Sequence, residues 1–346
     1  MSQGRRLIKT PPAIEPPSPP QAGPSQGLSK ARAPFDPRGR GRSLRSSSDA
    51  TATDSAPSSA RPPGVRTSKP MTTKRLVPVQ CSTGPFWAFE LERAMDALAE
   101  AGFTSIELMV TRDTKTHEPD IPLKLAEERG LEIASVHGPF LVITKSVWGM
   151  DPIGKIERGI EMCKAFGAET LVVHPPFLWE RGFANWVTER AEQSYQETGV
   201  AVAVETMYPK WVAGRKLRGY RWLRPAELVA EAPHVVIDTS HLSVSREDIL
   251  KAYETLAPHL VHIHLSDNAG DGKDGHLELG HGILPLERFL DELRRTKYAG
   301  AISLELSVGR YVERPRELVE MLARNRVYVE ERLKGRRRIS KGLPRT

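Results

Sequence analysis

The sequence predicts an α/β fold, a single (β/α)8 TIM barrel preceded by a disordered N-terminal extension. Three observations support this fold class. From residue 75 onward, eight short runs rich in β-branched residues alternate with amphipathic stretches of roughly 10 to 18 residues. The eight units fill about 260 residues, which is the usual size of a β/α barrel. No GxGxxG loop follows the first predicted strand, where a doubly wound dinucleotide-binding sheet carries it.

Composition divides the chain into three parts. Residues 1–73 are dominated by Pro, Ser, Arg, Gly and Ala, so they cannot bury enough apolar surface to offset the entropy lost on ordering. We therefore expect this extension to be disordered. Residues 74–335 contain the barrel pattern, and residues 336–346 form a basic C-terminal tail.

The predicted strands follow one another at regular intervals. Their sequences in chain order are LVPVQCS (76–82), SIELMV (105–110), EIASVHG (132–138), TLVVHP (170–175), AVAVETM (201–207), HVVIDTS (234–240), LVHIHLS (260–266) and AISLELS (301–307). A helical pattern follows each strand. After the first strand, for example, LERAMDALAEAGF has apolar residues at i, i+3, i+4 and i+7.

Net charge is the first clue to possible partners. The value of +7 and the pI near 9.4 are typical of a nucleic-acid-binding protein. The basic residues lie in the tails, however: residues 1–70 carry twelve Lys and Arg against four Asp and Glu, and residues 334–346 carry six and none. The stretch between them therefore has a net charge of −7. Nucleic acid is consequently the less favoured partner.

Two absences bear on location and chemistry. The sequence has no 18-residue apolar run and no apolar signal-peptide segment, so we expect a cytoplasmic protein without a membrane partner. Cys81 and Cys163 are the only cysteines, and their wide separation suits neither a disulfide framework nor a zinc ribbon. Any bound metal should therefore be held by histidine and carboxylate side chains.

Alternation along the strands predicts which side chains fill the barrel. One face of each strand meets the helices and the other faces the interior. In AVAVE, Val202 and Val204 should face the helices, which turns Glu205 inward. The same parity turns these further ionisable residues inward: His137, His174, Asp238, His262, His264 and Glu305. They lie near the C-terminal strand ends, where β/α barrels carry their active sites.

Converging carboxylates indicate a cation. A lone buried histidine is more often a satisfied core residue, but carboxylates that meet in one place repel one another unless a cation or proton neutralises them. A divalent metal is the simplest explanation. Four successive strands supply three carboxylates and one imidazole, a set that suits Mn²⁺, Zn²⁺ or Co²⁺. These residues are Glu205, Asp238, His264 and Glu305.

The loops add further candidate ligands. His241 follows the sixth strand in DTSH, and the loop DGHLELGHG contains Asp274, His276 and His281. The alternative for this second segment is a flexible polar loop. Asp267 in HLSD is expected to orient a ligand rather than to bind metal itself.

The ordered set of motifs resembles the xylose-isomerase-like barrel superfamily, which contains sugar isomerases, sugar epimerases and endonuclease IV-like AP endonucleases of family 2. The motifs are SVHGPF, LVVHPP, VAVETM, VVIDTSHL, VHIHLSDN, DGHLELGHG and ISLELS, and the resemblance covers roughly residues 75–335. For the epimerase branch it implies Glu205, Asp238, His264 and Glu305 as metal ligands. It further implies that Glu205 and Glu305 act as acid and base and that His241 contacts the substrate.

For the endonuclease branch, the resemblance implies a three-metal cluster with nine ligands. All nine types are present: His137, His174, Glu205, Asp238, His241, His264, Asp274, His276 and Glu305. The sequence departs from that branch at three places. Phe140 replaces the Tyr after HxP, Gly275 stands where an Arg is expected, and the sequence around Met207 replaces the usual Glu-Asn-Thr.

The loop after the fifth strand, YPKWVAGRKLRGYRWLRP, mixes basic and aromatic residues. We predict a lid that binds a phosphate or another anion; a solvated loop that merely covers the barrel mouth is the alternative. The predicted substrate-binding residues are Lys210, Trp211, Arg215 and Arg218. Arg112, Lys115 and Lys145 lie in other loops of that face, which favours a phosphorylated or acidic sugar.

The sequence thus favours a metal-dependent isomerase or epimerase that moves a proton alpha to the carbonyl of a small-molecule carbohydrate, preferably a sugar phosphate. A zinc-dependent AP endonuclease is the first alternative. A barrel that binds a ligand without turnover is the second. The sequence identifies neither the sugar, nor the reacting carbon, nor the oligomeric state.

Overall fold

The computed structural model describes residues 77–212 and 215–335, without the side chains of residue 142 and residues 211–216. The predicted extension, residues 1–73, and the predicted tail, residues 336–346, lie outside the described residues. Their boundaries stay predictions.

Eight parallel strands close into a barrel, which confirms the predicted fold class. The barrel strands are β1 (Val79–Ser82), β2 (Ser105–Met109), β3 (Glu132–His137), β4 (Thr170–Val173), β5 (Ala201–Glu205), β8 (Val235–Asp238), β9 (Leu260–Leu265) and β10 (Ala301–Leu304). Each pairs with the next in this series, and β10 pairs with β1. The remaining strands, β6 (Lys210–Val212) and β7 (Arg215–Leu217), form an antiparallel hairpin in the loop after β5.

Helices connect the strands and pack around the barrel. They are α1 (Leu91–Glu100), α2 (Asp120–Glu128), α3 (Pro152–Phe166), α4 (Arg181–Thr198), α5 (Pro225–Val229), α6 (Thr239–Ser245), α7 (Ile249–Leu256), α8 (Leu286–Thr296) and α9 (Pro315–Leu333). Local sequence sets their ends. The Asp151 carboxylate caps the first turn of α3, for example, and Gly167 ends that helix at a φ of 71°.

Several predicted strands end earlier than the sequence pattern suggested. HVVIDTS was predicted to extend to residue 240, but Thr239 already begins α6. The cause is local, because the Asp238 carboxylate accepts a hydrogen bond of 2.8 Å from the His241 backbone N–H and so caps that helix. His174 and Glu305 likewise stand just beyond the ends of their strands, at the C-terminal mouth of the barrel.

The packing confirms the predicted parity of the fifth strand. Val202 and Val204 belong to the main apolar core, whereas Ala203 joins Val172 and Val236 in a small separate cluster. The interior above this apolar layer is polar. Because the inward residues of neighbouring strands stand at similar levels, ionisable side chains from several strands meet there.

No helix within the two described ranges is long and apolar enough to cross a membrane.

Candidate metal centre

Four predicted ligands meet at the C-terminal mouth of the barrel. Glu205, Asp238, His264 and Glu305 each offer an atom that lies within 4.8 Å of the other three. His264 is central, since its Nδ1 lies 2.6 Å from Glu205 Oε1 and 3.0 Å from Glu305 Oε2. Asp238 Oδ2 is 3.8 Å from the same nitrogen. The structure thus brings these four side chains together as the sequence predicted; their role as ligands stays a prediction.

Two further groups flank this central one. Glu205 Oε2 lies 3.3 Å from His174 Nε2 and 3.6 Å from His137 Nε2, so these three residues form one group. On the other side, Asp238 forms a group with His241 and His276.

Asp274 joins the two histidines of the second flanking group. Its carboxylate oxygens lie 3.1 Å from His241 Nε2 and 3.1 Å from His276 Nε2. With Asp274, all nine residues of the predicted ligand set lie in or against the three groups.

The donor chemistry fits a divalent cation. Glu205 Oε2 and Asp238 Oδ2 are buried and accept no hydrogen bond from any described residue. A buried carboxylate oxygen without a partner is costly, by several kcal/mol in an apolar setting. Since imidazole nitrogens and other carboxylates surround these oxygens without bonding to them, the arrangement suits metal coordination.

Without a bound cation, the negative charge of these carboxylates is offset by protons on neighbouring side chains. Burial raises the pKa of Asp238 to about 6, and the neighbouring Glu205 and Glu305 add to that rise against the opposing effect of His241. Burial lowers the pKa of His264, but the Glu107, Glu305 and Glu205 carboxylates outweigh it and raise that pKa well above its usual value. A metal ion bound here would therefore compete with protons for the same side chains.

A cavity of about 260 Å³ opens above the central group; we call it the metal-centre cavity. Glu205 and Glu305 line it, whereas Asp238 and His264 lie beneath and do not. Side chains from the flanking groups complete its polar wall, namely His137, His174, His241, Asp274 and His276. Two carboxylates of the central group, together with Asp274, thus face the space that a substrate would enter.

The basic residues predicted to bind substrate do not line the metal-centre cavity among the described side chains. Arg218 Nη2 forms a 2.8 Å ion pair with Glu227 and its Nε donates to the Tyr220 carbonyl, so it is tied to α5. The role of Arg218 in substrate binding stays a prediction. Lys210 is exposed in the hairpin. The side chains of Trp211 and Arg215 lie outside the described residues.

Basic residues of the neighbouring loops are also engaged. Lys115 Nζ pairs with Glu90 at 3.0 Å and with Glu92 at 2.8 Å, and Arg112 Nε donates to the Ile143 carbonyl. Within the described ranges, neither lysine nor arginine lines the metal-centre cavity.

Two other loop predictions met different outcomes. Asp267 was expected to orient a metal ligand, but its carboxylate accepts backbone N–H groups of Gly280, Gly282 and Leu284. It therefore shapes the loop that carries Asp274 and His276. His281 is exposed and belongs to none of the groups among the described residues.

Glu107 on β2 escaped the sequence reasoning. It is fully buried, with Oε1 at 3.1 Å from His264 Nε2 and Oε2 at 2.9 Å from His262 Nε2. Ser135 Oγ donates to the same carboxylate at 3.2 Å. Glu107 thus holds the far side of the His264 ring, as carboxylates do behind metal-binding histidines. The parity rule, applied to SIELM, would have found it, because Ile106 and Leu108 face the helices.

We expect Glu107→Gln to weaken divalent metal binding by roughly tenfold to a hundredfold while the fold is kept. The amide has the same shape but lacks the negative charge that fixes the His264 ring. Titration with Co²⁺, followed by visible absorption, measures the affinity. Ser135→Ala is the matched control, since it removes one hydrogen bond to Glu107 and keeps the carboxylate. Equal Co²⁺ affinities for Glu107→Gln and the unmodified protein would contradict this role.

Comparison with known proteins shows which family this chain is similar to. The family described as xylose isomerase-like TIM barrel matches residues 95–326. An uncharacterised protein of Mycobacterium leprae (strain TN) is 30% identical over 275 residues, which are 73% of this chain and 98% of that protein.

Solved structures share the fold at lower identity. A D-tagatose 3-epimerase-like protein superposes with a TM-score of 0.56 at 21% identity, covering 75% of this chain and 97% of its own. An AP endonuclease, family 2, from Brucella melitensis does so with a TM-score of 0.52 at 15% identity, covering 69% and 99%.

Proposed function

Because this chain belongs to the xylose isomerase-like TIM barrel family, we propose that it is a divalent-metal-dependent sugar isomerase or epimerase. One observation carries the proposal. Of the four residues in the central group, the two glutamates, Glu205 and Glu305, face the metal-centre cavity. Proton transfer next to a carbonyl needs two such groups, one to remove the proton and one to return it. The epimerase-like structural neighbour supports this choice.

The two glutamates reach the cavity from different directions. Glu205 ends β5 and Glu305 follows β10, and two other strands separate them in the barrel. A sugar bound between them would lose the proton on the carbon beside its carbonyl to one glutamate, acting as a carboxylate. The other glutamate, protonated as a carboxylic acid, would deliver its proton to the opposite face in epimerisation, or to the neighbouring carbon in isomerisation. A bound divalent cation supplies stabilisation of the negative charge that develops on the substrate oxygen.

His241 is suited to contact either a cation or a sugar hydroxyl. Its Nδ1 lies 2.8 Å from the Thr206 carbonyl oxygen and donates to it, which directs Nε2 toward Asp274 and the cavity. Tyr208 Oη donates to the same Asp274 carboxylate at 3.2 Å. These contacts fix the polar wall before any ligand binds, so little ordering is left to the binding step.

The contacts favour a sugar without a phosphate group in the metal-centre cavity. The described cavity wall contains no lysine or arginine, and Lys115 and Arg218 are already paired with glutamates. A phosphorylated substrate would have to rely on the hairpin, where Lys210 and Arg215 lie. We therefore place neutral ketoses first in the substrate search and sugar phosphates second.

Abasic-site cleavage is the second candidate. It is favoured by the two flanking groups, His137–His174–Glu205 and Asp238–His241–His276, which provide donors for more than one metal ion. The candidates differ in metal content. Three zinc ions per chain would favour the endonuclease, and one exchangeable Mn²⁺ or Co²⁺ would favour sugar chemistry.

A paired assay tests the proposal. The full chain, loaded in turn with Mn²⁺, Co²⁺ and Zn²⁺, is incubated in D₂O with a panel of ketoses and ketose phosphates, and in parallel with an abasic oligonucleotide. We expect deuterium beside the carbonyl of at least one sugar and an intact oligonucleotide. Strand cleavage without deuterium incorporation would replace the proposal by the endonuclease. Binding of a sugar with neither reaction would leave a non-catalytic ligand-binding barrel.

A further inference from the structure

A second cavity of about 350 Å³ adjoins the metal-centre cavity; we call it the apolar cavity. The two share part of their lining, namely Gly84, Trp87, Met109 and Leu141. We propose that the apolar cavity binds an aromatic group attached to the sugar, so that the substrate is a ketose that carries an aryl substituent. This inference rests on the proposed function, because it takes the sugar itself to lie at the metal centre.

Large apolar side chains dominate the wall of the apolar cavity. Phe86 and Phe89 pack edge to face with ring centroids 5.4 Å apart, and both line it. Trp87 is 79% exposed and Ile143 is 62% exposed, although both border the cavity. Apolar surface left open beside a polar catalytic pocket indicates binding of an apolar ligand. Aromatic walls favour an aromatic ligand through edge and stacking contacts.

The hydroxyl groups in this wall already have protein partners. Thr83 Oγ1 accepts the Met109 backbone N–H at 2.9 Å. Thr144 Oγ1 donates to the Leu141 carbonyl at 3.1 Å, and Thr116 Oγ1 donates to the Asp113 carbonyl at 2.7 Å. Each of these threonines therefore already uses its hydroxyl in a hydrogen bond within the protein. Their contacts explain why a cavity bordered by several threonines is apolar in character.

Contacts between loops hold the cavity open. Arg112 Nε donates to the Ile143 carbonyl at 2.7 Å, which links the loop after β2 to the loop after β3. Lys115 links the first of these loops to Glu92 of α1 and to Glu90, the N-cap residue of that helix. Because these contacts join residues of the protein itself, an aromatic group would not have to open the cavity. A cavity of about 150 Å³ suffices for benzene in another protein, so the volume is adequate.

Binding measurements on the metal-loaded full chain test the inference. The probes are phenyl β-D-glucopyranoside, methyl β-D-glucopyranoside and phenol, with affinities from calorimetry and ligand contacts from saturation-transfer NMR. We expect the phenyl glucoside to bind at least about tenfold more tightly than the methyl glucoside, which is the gain for burying a ring of this size. Saturation transfer should be strongest at the aromatic protons of phenol and of the phenyl glucoside.

Three variants locate the effect. Trp87→Ala removes an exposed wall of the apolar cavity, and Ala94→Leu fills the cavity from α1. Both should reduce the preference for phenyl over methyl to about threefold or less. Trp179→Ala is the matched control, because Trp179 is 66% exposed and lines neither cavity, and it should keep the full preference.

The outcomes separate this inference from the proposed function. Equal affinity for the two glucosides, or a preference that survives both Trp87→Ala and Ala94→Leu, overturns the aromatic site, whatever the D₂O assay shows. Phenol binding that both variants abolish, without binding of any sugar and without deuterium exchange, supports the aromatic site and overturns the sugar function.

Discussion

Glu205→Gln and Glu305→Gln should each lower the rate of deuterium incorporation into a substrate sugar by roughly 10²- to 10⁴-fold, the usual contribution of a general acid or base. The amide keeps the size of the side chain but cannot accept the proton. Both residues line the metal-centre cavity and both are buried, so the loss of a carboxylate there is not replaced by solvent. NMR of the sugar after incubation in D₂O measures the rate.

Two measurements keep this prediction specific to proton transfer. Circular dichroism should show an unchanged fold, and metal analysis should show whether the variant still binds its ion. Glu189→Gln, on the exposed face of α4, is the control and should exchange at the normal rate. An unchanged exchange rate in either active-site variant would remove that glutamate from the mechanism.

Removal of the metal should lower the unfolding temperature by about 10 °C. The Glu205, Asp238 and Glu305 carboxylates are buried within reach of one another, and a bound cation would offset their repulsion. A ligand whose free concentration is about a thousand times its Kd stabilises a protein by about 4 kcal/mol. The unfolding temperature of a domain of this size changes by about 2–4 °C for each kcal/mol of stability.

Thermal unfolding with EDTA, followed by restoration with Mn²⁺, Co²⁺ or Zn²⁺, tests this second effect. The ion that restores the highest unfolding temperature identifies the preferred metal. Asp238→Asn is the companion variant, and its shift on EDTA treatment should be smaller because one charge of the cluster is gone. An unfolding temperature that stays constant, after elemental analysis has shown the metal to be removed, would argue against a structural role for the ion.

Candidate site residues on strands could be predicted from the sequence more fully than those in loops. Glu205 and Asp238 stand on strands whose alternation is visible in AVAVE and VVID, so their inward direction follows from the period of two. Barrel closure then brings inward residues of neighbouring strands together, as when Asp238 pairs in register with His264. No long-range information beyond the number of strands was needed for that step.

Loop residues were less predictable. Arg218 was assigned to substrate binding because its loop is basic, but it pairs with Glu227 of α5. Asp267 was assigned to a ligand because it follows HLS, but it binds the backbone of its own loop. A loop has no fixed period, so its side-chain directions depend on partners that fold next to it.

The sequence alone therefore determined the barrel, its strand order along the chain and the inward placement of the histidines and carboxylates, because these follow from short-range periodicity. Tertiary structure decided the rest. It placed Glu107 behind His264, left two of four central side chains facing the metal-centre cavity, and joined three loops around the apolar cavity. These features depend on distances between residues far apart in the chain, and such distances are set only when the barrel closes.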